Sequence, residues 1–316
     1  MHDVAMNSPV GRLRSIPGVA VMLIVLVAAF AVTSPGFLTV PNLSNVLVQS
    51  TVLLLLALPM TLIIMTEGLD LSMGAVLTLA SLVVALVTLS TGSVLLGMLA
   101  ACAVGSVFGV VNGWLVAILG IPPFVATLGT LGMAQGLSLI VSDGQSVVGM
   151  PVAIQKIYSG TVAALPVPIV MAIVAYAAFY LLLYHTRLGT FVFALGGNRD
   201  ALRFAGVKVE RMLIVVYAIG GAMAGLAGVL MTARMNAGHP TAGLGLEFDA
   251  IAAVAVGGTS FERGNGWLLG TLLGVLTVGV LRNGLNLLAI PSSVQVSCVG
   301  VLVILALFLD GLRSRT

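Results

Sequence analysis

Charge is what this sequence has least of: 10 acidic and 13 basic residues in 316, or 7%. A soluble domain carries roughly 25% charged residues to cover its surface. Most of this surface must therefore face something other than water, and lipid fits. Cysteine is almost missing too. Cys102 and Cys298 both sit inside apolar runs and read as small buried hydrophobes, not as a disulfide or a metal pair. There are three histidines; His185 and His239 fall in loops, and no metal site is expected at either. The basic residues form no stripe and have no aromatic interleaving, which excludes a nucleic-acid surface despite the net charge of +3. No Gly-x-x-x-x-Gly-Lys-Ser/Thr run occurs, so any ATP hydrolysis must belong to another chain. With no nucleophile elbow and no catalytic constellation, an enzyme has no support.

What the chain does have is apolar length: 59% of its residues are hydrophobic. At about 20 residues per crossing, this length fits roughly nine to eleven helices. Apolar runs predict helices near 17–34, 46–66, 71–90, 93–118, 123–141, 165–184, 212–233, 248–259, 266–282 and 294–310. The fold class is thus an all-α polytopic membrane protein. The run at 248–259 is too short to cross a core of ~30 Å alone and reads as a half-helix or as part of a longer segment. Arg12 and Arg14 precede a first run that ends in Ser34-Pro35-Gly36-Phe37 with no small-residue cleavage site, so it reads as a retained helix, not a signal peptide.

Basic residues orient the set. With the N-terminus inside, the inner segments hold ten basic residues and the outer ones three: Lys156, Arg234 and Arg282. Both termini are then expected in the cytoplasm, with tails at 1–16 and 312–316 around a transmembrane domain at 17–311. Of the two longer loops, 142–164 is external. The other, 185–211, is internal and carries Arg187, Arg199, Arg203, Lys208 and Arg211.

The two halves echo each other. Gly68-Leu69-Asp70, Leu95-Leu96-Gly97, Asn112-Gly113 and Ile121-Pro122 are matched in order by Gly245-Leu246-Glu247, Leu268-Leu269-Gly270, Asn283-Gly284 and Ile290-Pro291. The copies are five helices apart, an odd offset, so they must run in opposite directions. That is the pattern of two inverted five-helix repeats, with a substrate path where the repeats meet. In the inner loop, Gly197-Asn198 offers a turn and an N-cap. Ala201, Leu202 and Ala205 lie at helical spacing as one small apolar face, and Gly206-Val207 offers a stop. A short surface helix there could insert into a groove on a partner or lie under the headgroups.

These segments resemble a known family, the permease subunits of monosaccharide ABC importers of the ribose/xylose/autoinducer-2 type. The resemblance rests on Glu67-Gly68-Leu69-Asp70-Leu71-Ser72, on Asn112-Gly113 with Ile121-Pro122-Pro123-Phe124-Val125-Ala126-Thr127-Leu128-Gly129-Thr130, and on Leu195-Gly196-Gly197-Asn198 through Val207. It continues in Ala255-Val256-Gly257-Gly258-Thr259-Ser260 and Asn283-Gly284-Leu285-Asn286. It runs from about residue 40 to 311, and the second motif favours the sugar branch over the branched-chain amino-acid branch. The usual first motif is Gly-Gly-Ile-Asp-Leu-Ser, so Glu67 stands where a glycine is expected.

The resemblance implies ten helices in a bacterial inner-membrane permease that acts as a homo- or heterodimer. It implies a cytoplasmic ATPase partner that binds ATP and Mg, no cofactor on this chain, and a periplasmic solute-binding protein. It also makes residues 198–207 the helix that docks on the ATPase, with Gly197 just before it. Asp70 and Glu247 read first as helix-start caps and second as groups lining a path, with Ser72 beside Asp70. Asn112 and Asn283 read first as interhelical hydrogen-bonding groups and second as path-lining ones. Trp114 and Trp267 fit interfacial anchors better than sugar-stacking platforms. The rival from another class is an ion-coupled secondary transporter, which would want a carboxylate near the bilayer centre.

Overall fold

A computed structural model describes residues 18–197, 199–260 and 265–313. Arg12, Arg14, Asn198, Arg263, Arg315 and the 1–16 tail lie outside the described residues. All ten apolar runs are helical: α1 (Gly18–Thr33), α2 (Val40–Met65), α3 (Met73–Thr91), α4 (Val94–Ala117) and α5 (Pro123–Ser142), then α7 (Val167–His185), α10 (Val209–Met235), α11 (Leu246–Val256), α12 (Leu268–Leu287) and α13 (Ser292–Arg313). The loops add three more, α6 (Val152–Ser159), α8 (Arg187–Gly197) and α9 (Arg199–Phe204). Among the described residues, seven helices, α2 to α5 with α7, α10 and α12, are long and apolar enough to cross a membrane. At 11 residues, α11 spans only about 16 Å and cannot cross alone.

Two boundaries differ from the apolar runs, each for a physical reason. Helix α2 begins at Val40, not 46, because Pro41 sits in its first turn, where a fixed φ suits helix initiation. The polar Asn42, Ser44 and Asn45 hid that turn. Helix α12 continues past Arg282 to Leu287. Its polar residues are tolerated because Arg282 pairs with Asp249 and Asn283 pairs with Asn42.

Helix α2 is the centre of the bundle. Every residue from 50 to 65 is buried, and Pro59 sits in the helix without ending it. A helix apolar all round belongs in a core. It packs on α10, α11, α12 and α7. By contrast α4, α5 and α7 turn much apolar surface outward, including Leu95, Leu99, Val107, Ile140, Ile173 and Leu181. So large an apolar exterior fits lipid and not water. Cys102 and Cys298 are free and half-buried, more exposed than their apolar runs suggest.

A tight crossing joins α4 to α10. Gly105, Gly109 and Gly113 face Tyr217, Gly221 and Gly225, and a β-carbon on Gly105 or Gly221 would overlap the other's carbonyl oxygen. This is small residues spaced four apart bringing two backbones into contact, the usual adhesive of membrane helices. A second close crossing brings α11 to α12, where Gly257 meets Gly270 and Gly274 meets the Ala253 carbonyl. There Trp267 donates from Nε1 to the Gly257 carbonyl at 2.9 Å, so it closes the end of α11 rather than standing free in the interface. Trp114 is exposed.

The ends of the bundle are distinct. At one end the α2–α3 and α4–α5 turns meet Arg199 and Arg203 around one cavity. At the other, Val147 pairs with Gly238, Ser146 meets His239 at 2.7 Å, and α6 packs on α10. There also lies a two-stranded hairpin, β1 (Thr161–Val162) and β2 (Leu165–Pro166), whose turn residues Ala163 and Ala164 both have positive φ.

Candidate functional site

Three of the sequence motifs converge on one buried network. Asp70 lies in the turn between α2 and α3, and its Oδ1 accepts from the Ser72 amide at 2.9 Å and the Ser72 hydroxyl at 2.6 Å. From α4, the Asn112 amide donates to Ser72 Oγ at 2.8 Å and reaches Asp70 at 3.4 Å. From α5, the Thr130 hydroxyl donates to Asn112 Oδ1 at 2.6 Å. One turn earlier, Thr127 accepts from the Leu71 amide at 3.1 Å. Tyr217 of α10 closes the far side with a hydroxyl 3.4 Å from the Leu69 carbonyl. Buried polar groups in a membrane protein must be satisfied internally, and this network does so by pinning α3, α4, α5 and α10 together. Thr127 and Thr130 carry the arrangement as much as Asp70 does. They stand within the Phe124–Thr130 motif, but their role shows only once α5 is set beside α4.

The matching residues of the second half do not repeat these bonds. Glu247, in the first turn of α11, accepts the Gly245 amide at 3.3 Å through Oε1. Its Oε2 points at Gly74 of α3, where a β-carbon would overlap it. Asn283 of α12 makes a reciprocal amide pair with Asn42 of α2, at 2.9 and 3.0 Å. Glu247 and Asn283 are therefore apart, unlike Asp70 and Asn112. The acid that does pair across this half is Asp249, 2.5 Å from Arg282. Asp70, Ser72, Asn112, Glu247 and Asn283 are all buried, and none lines either of two cavities found among the described residues.

The first cavity, about 500 Å³, is lined by Thr66, Glu67, Gly68, residues 116–123, Arg199, Arg203 and Tyr217. The second, about 140 Å³, lies toward the opposite end between α2, α10, α11, α12 and α13.

Segment 199–207 is helix α9 followed by a defined stop. Val207 donates to the Leu202 carbonyl at 3.1 Å, and Gly206 to Arg203 at 2.9 Å with φ +77°. This is the paired hydrogen bonding of a glycine-terminated helix, and Val207 and Leu202 supply the accompanying apolar contact. The single apolar face expected for Ala201, Leu202 and Ala205 is split. Leu202 turns inward onto Ala117, Leu195, Val209 and Met212, while Ala201 and Ala205 face outward. The outward side gains Phe204, 93% exposed, which helical spacing did not single out. Gly197 ends α8 with open space at its α-carbon.

A lipid-facing helical bundle with internal polar networks and a polar cavity toward each end has the build of a membrane transport protein. Residues 42–307 match the family model described as branched-chain amino acid transport system / permease component, and the chain belongs to that family. It is 40% identical to the ribose import permease protein RbsC of Escherichia coli (strain K12), over 93% of each chain. It is 37% identical to the D-allose transport system permease protein AlsC of the same strain, over 94% of this chain and 92% of that one. With the galactose/methyl galactoside import permease protein MglC of that strain it shares 33%, over 94% of each. No solved structure gives a significant match.

Proposed function

We propose that this chain is the membrane-spanning permease of an ATP-binding-cassette importer that carries a monosaccharide or a similar small polyol across the bacterial inner membrane. The observation that carries the reading is near-full-length similarity to import permeases named for ribose, allose and galactose. An ion-coupled secondary transporter is not favoured by these relatives.

The mechanism divides the labour between chains. A separate cytoplasmic ATPase binds ATP and Mg and closes on it. A periplasmic binding protein delivers solute, and a second permease, identical or related, completes the path. This chain contributes ten membrane segments in two inverted repeats. The matched packing of α3 on α4 and of α11 on α12 supports that reading. Both termini face the cytoplasm, and the Arg199–Arg203 end is the inner face, consistent with its basic residues. Segment 198–207 is the coupling helix. Leu202 anchors it to the bundle while Ala201, Phe204 and Ala205 offer the outer side to the ATPase. The network of Asp70, Ser72 and Asn112 holds α3, α4 and α5 as one unit behind it.

Reconstitution with a cognate ATPase and a solute-binding protein tests the proposal. Uptake of ribose should require ATP and stop with vanadate, and it should survive an uncoupler. Uptake that follows the proton gradient without ATP refutes it. Ala205→Glu and Phe204→Glu should each abolish co-purification of the ATPase while leaving membrane insertion intact. Unchanged co-purification in both removes the coupling role.

A further inference from the structure

The 140 Å³ cavity is unusual in its walls. Five helices meet there, and they bring Gln49 and Ser50 of α2, Arg234 of α10, Asp249 of α11, Arg282 of α12 and Gln295 of α13 to one space. Ser50, Asp249 and Gln295 are each only 6% exposed. Arg234 is exposed and Arg282 partly so, whereas buried polar side chains such as those three are expensive in a membrane bundle and mark functional places. The commitments among them are incomplete. Arg282 pairs with Asp249, and Gln295 donates to Asn286 and to the Ile290 carbonyl. Ser50 Oγ and Arg282 Nε, both buried, have no hydrogen-bond partner among the described residues. Helix α12 also passes α2 with Gly279 against the Ser50 hydroxyl, so that any β-carbon there would strike it.

The chemistry of the walls narrows the occupant. Guanidinium and carboxamide groups donate, and carboxylate and carboxamide oxygens accept, so both halves of a hydroxyl group can be met. The Asp249–Arg282 pair sets an acceptor beside a donor, the arrangement that a pair of neighbouring hydroxyls can bridge. Leu53, Met231 and Val278 also line the space and give apolar surface for a C–H face. No aromatic ring is among the described residues that line the space, so retention by these walls rests on hydrogen bonds and is weak, as passage requires. The room is on the order of ten water-sized positions, near the heavy-atom count of one pentose or hexose and well under that of a disaccharide.

We propose that this cavity is a monosaccharide-sized polyol subsite inside each permease chain, on the face opposite the Arg199–Arg203 segment. The substrate class rests on the importer reading above; the site itself rests on the convergence of these side chains.

The test is ligand-observed saturation-transfer NMR on the full chain in lipid nanodiscs, with D-ribose, D-galactose and maltose as probes. Transfer to ribose and galactose is expected, with a signal at least fivefold weaker for maltose. Gln49→Trp, which fills the space, and Arg234→Gln, at an exposed position, should each reduce the ribose signal at least fivefold. Size-exclusion profiles matching wild type would show that both variants fold. No ribose signal, an equal signal in wild type and both variants, or an equal signal for maltose would overturn the proposal. Reconstituted uptake separates it from the wider reading. ATP-driven uptake without saturation transfer sinks the subsite alone, whereas saturation transfer without ATP-driven uptake supports the subsite and sinks the importer.

Discussion

Replacing Glu67 by glycine should stabilise the protein, an unusual expectation for a polar residue beside two arginines. Helix α2 ends with Gly68 donating to the Ile63 carbonyl and Glu67 donating to Ile64, both at 2.9 Å. That pattern places Glu67 at the position that favours glycine, and its φ is +59°. A side chain held in the left-handed region costs roughly 1–2 kcal/mol. Glycine returns about 0.4–1 kcal/mol of this through the greater freedom of its unfolded chain. The net gain is about 0.5–1 kcal/mol, or roughly 1–3 °C for a chain of this size. Glu67 is exposed and lines the cavity with Arg199 and Arg203, so the lost carboxylate must be separated from the relieved backbone. Glu67→Ala does this, because it removes the charge and keeps the β-carbon. A thermal ramp in detergent, followed through the fluorescence of Trp114 and Trp267, should rank Gly above Ala and Ala above the β-branched Val. Equal midpoints for Gly and Ala, or a Val variant as stable as Gly, would refute the backbone argument.

Gly221→Val should be far more damaging, because a side chain there meets the Gly105 carbonyl and the Gly109 amide. A cost above about 3 kcal/mol follows from overpacking a backbone contact, seen as loss of monodisperse protein after extraction. Asn283→Leu leaves Asn42 with its Oδ1 unmet and only the Phe37 carbonyl for its amide, and should cost on the order of 1 kcal/mol. The Asn42→Leu/Asn283→Leu pair should cost less than the sum of the singles in a double-mutant cycle of thermal midpoints. The hairpin turn at Ala163 and Ala164 has the positive φ values of an Asn-Gly turn. Ala163→Asn with Ala164→Gly should therefore raise stability by about 1 kcal/mol, measured as slower proteolytic nicking of residues 160–167.

Much of the fold was legible because apolar runs are long and charge is scarce: every predicted run is a helix. The ends of α2 and α12 were not, since Asn42, Arg282 and Asn283 look like loop residues until their partners are known. Those partners are far away in sequence, Asn283 being 241 residues from Asn42. The same limit governed the site. The Glu67–Ser72, Asn112 and Thr127–Thr130 motifs were each visible, but that one hydrogen-bond network absorbs all three depends on how α3, α4 and α5 pack. In the second half the repeat pointed to Glu247 and Asn283, while the residues on the cavity wall are Asp249, Arg282 and Asn286, one to three positions away. A periodic sequence match locates a helix turn; which side of that turn faces an opening is decided by packing. Leu202 shows the same thing at small scale, where spacing grouped it with Ala201 and Ala205 and packing took it inward.

Helix α10 lines both cavities, through Leu213 and Tyr217 in one and Met231 and Arg234 in the other, and the two cavities lie along and just beyond α2, which constrains how the proposed cycle can run. Val52 and Leu53 of α2 line one cavity, and Thr66, Glu67 and Gly68 just beyond its end line the other. The stretch between them is buried throughout and amounts to about 20 Å of packed helix. Opening a route must therefore loosen α2 from its neighbours. The α4–α10 and α11–α12 crossings cannot provide the give, because their backbones already touch at Gly105–Gly221 and Gly257–Gly270. Each of those pairs must move as a body. The seams left to shear are those α2 makes with α10, with α7, and with α11 and α12. The Asn42–Asn283 amide pair and the Thr61–Thr271 hydroxyl contact at 2.6 Å both lie across the last of these. Hydrogen bonds of this kind between membrane helices are individually weak, about 0.6 kcal/mol on average. Breaking them is within reach of the proposed ATP-driven partner, whereas parting the glycine crossings would require the bundle itself to come apart.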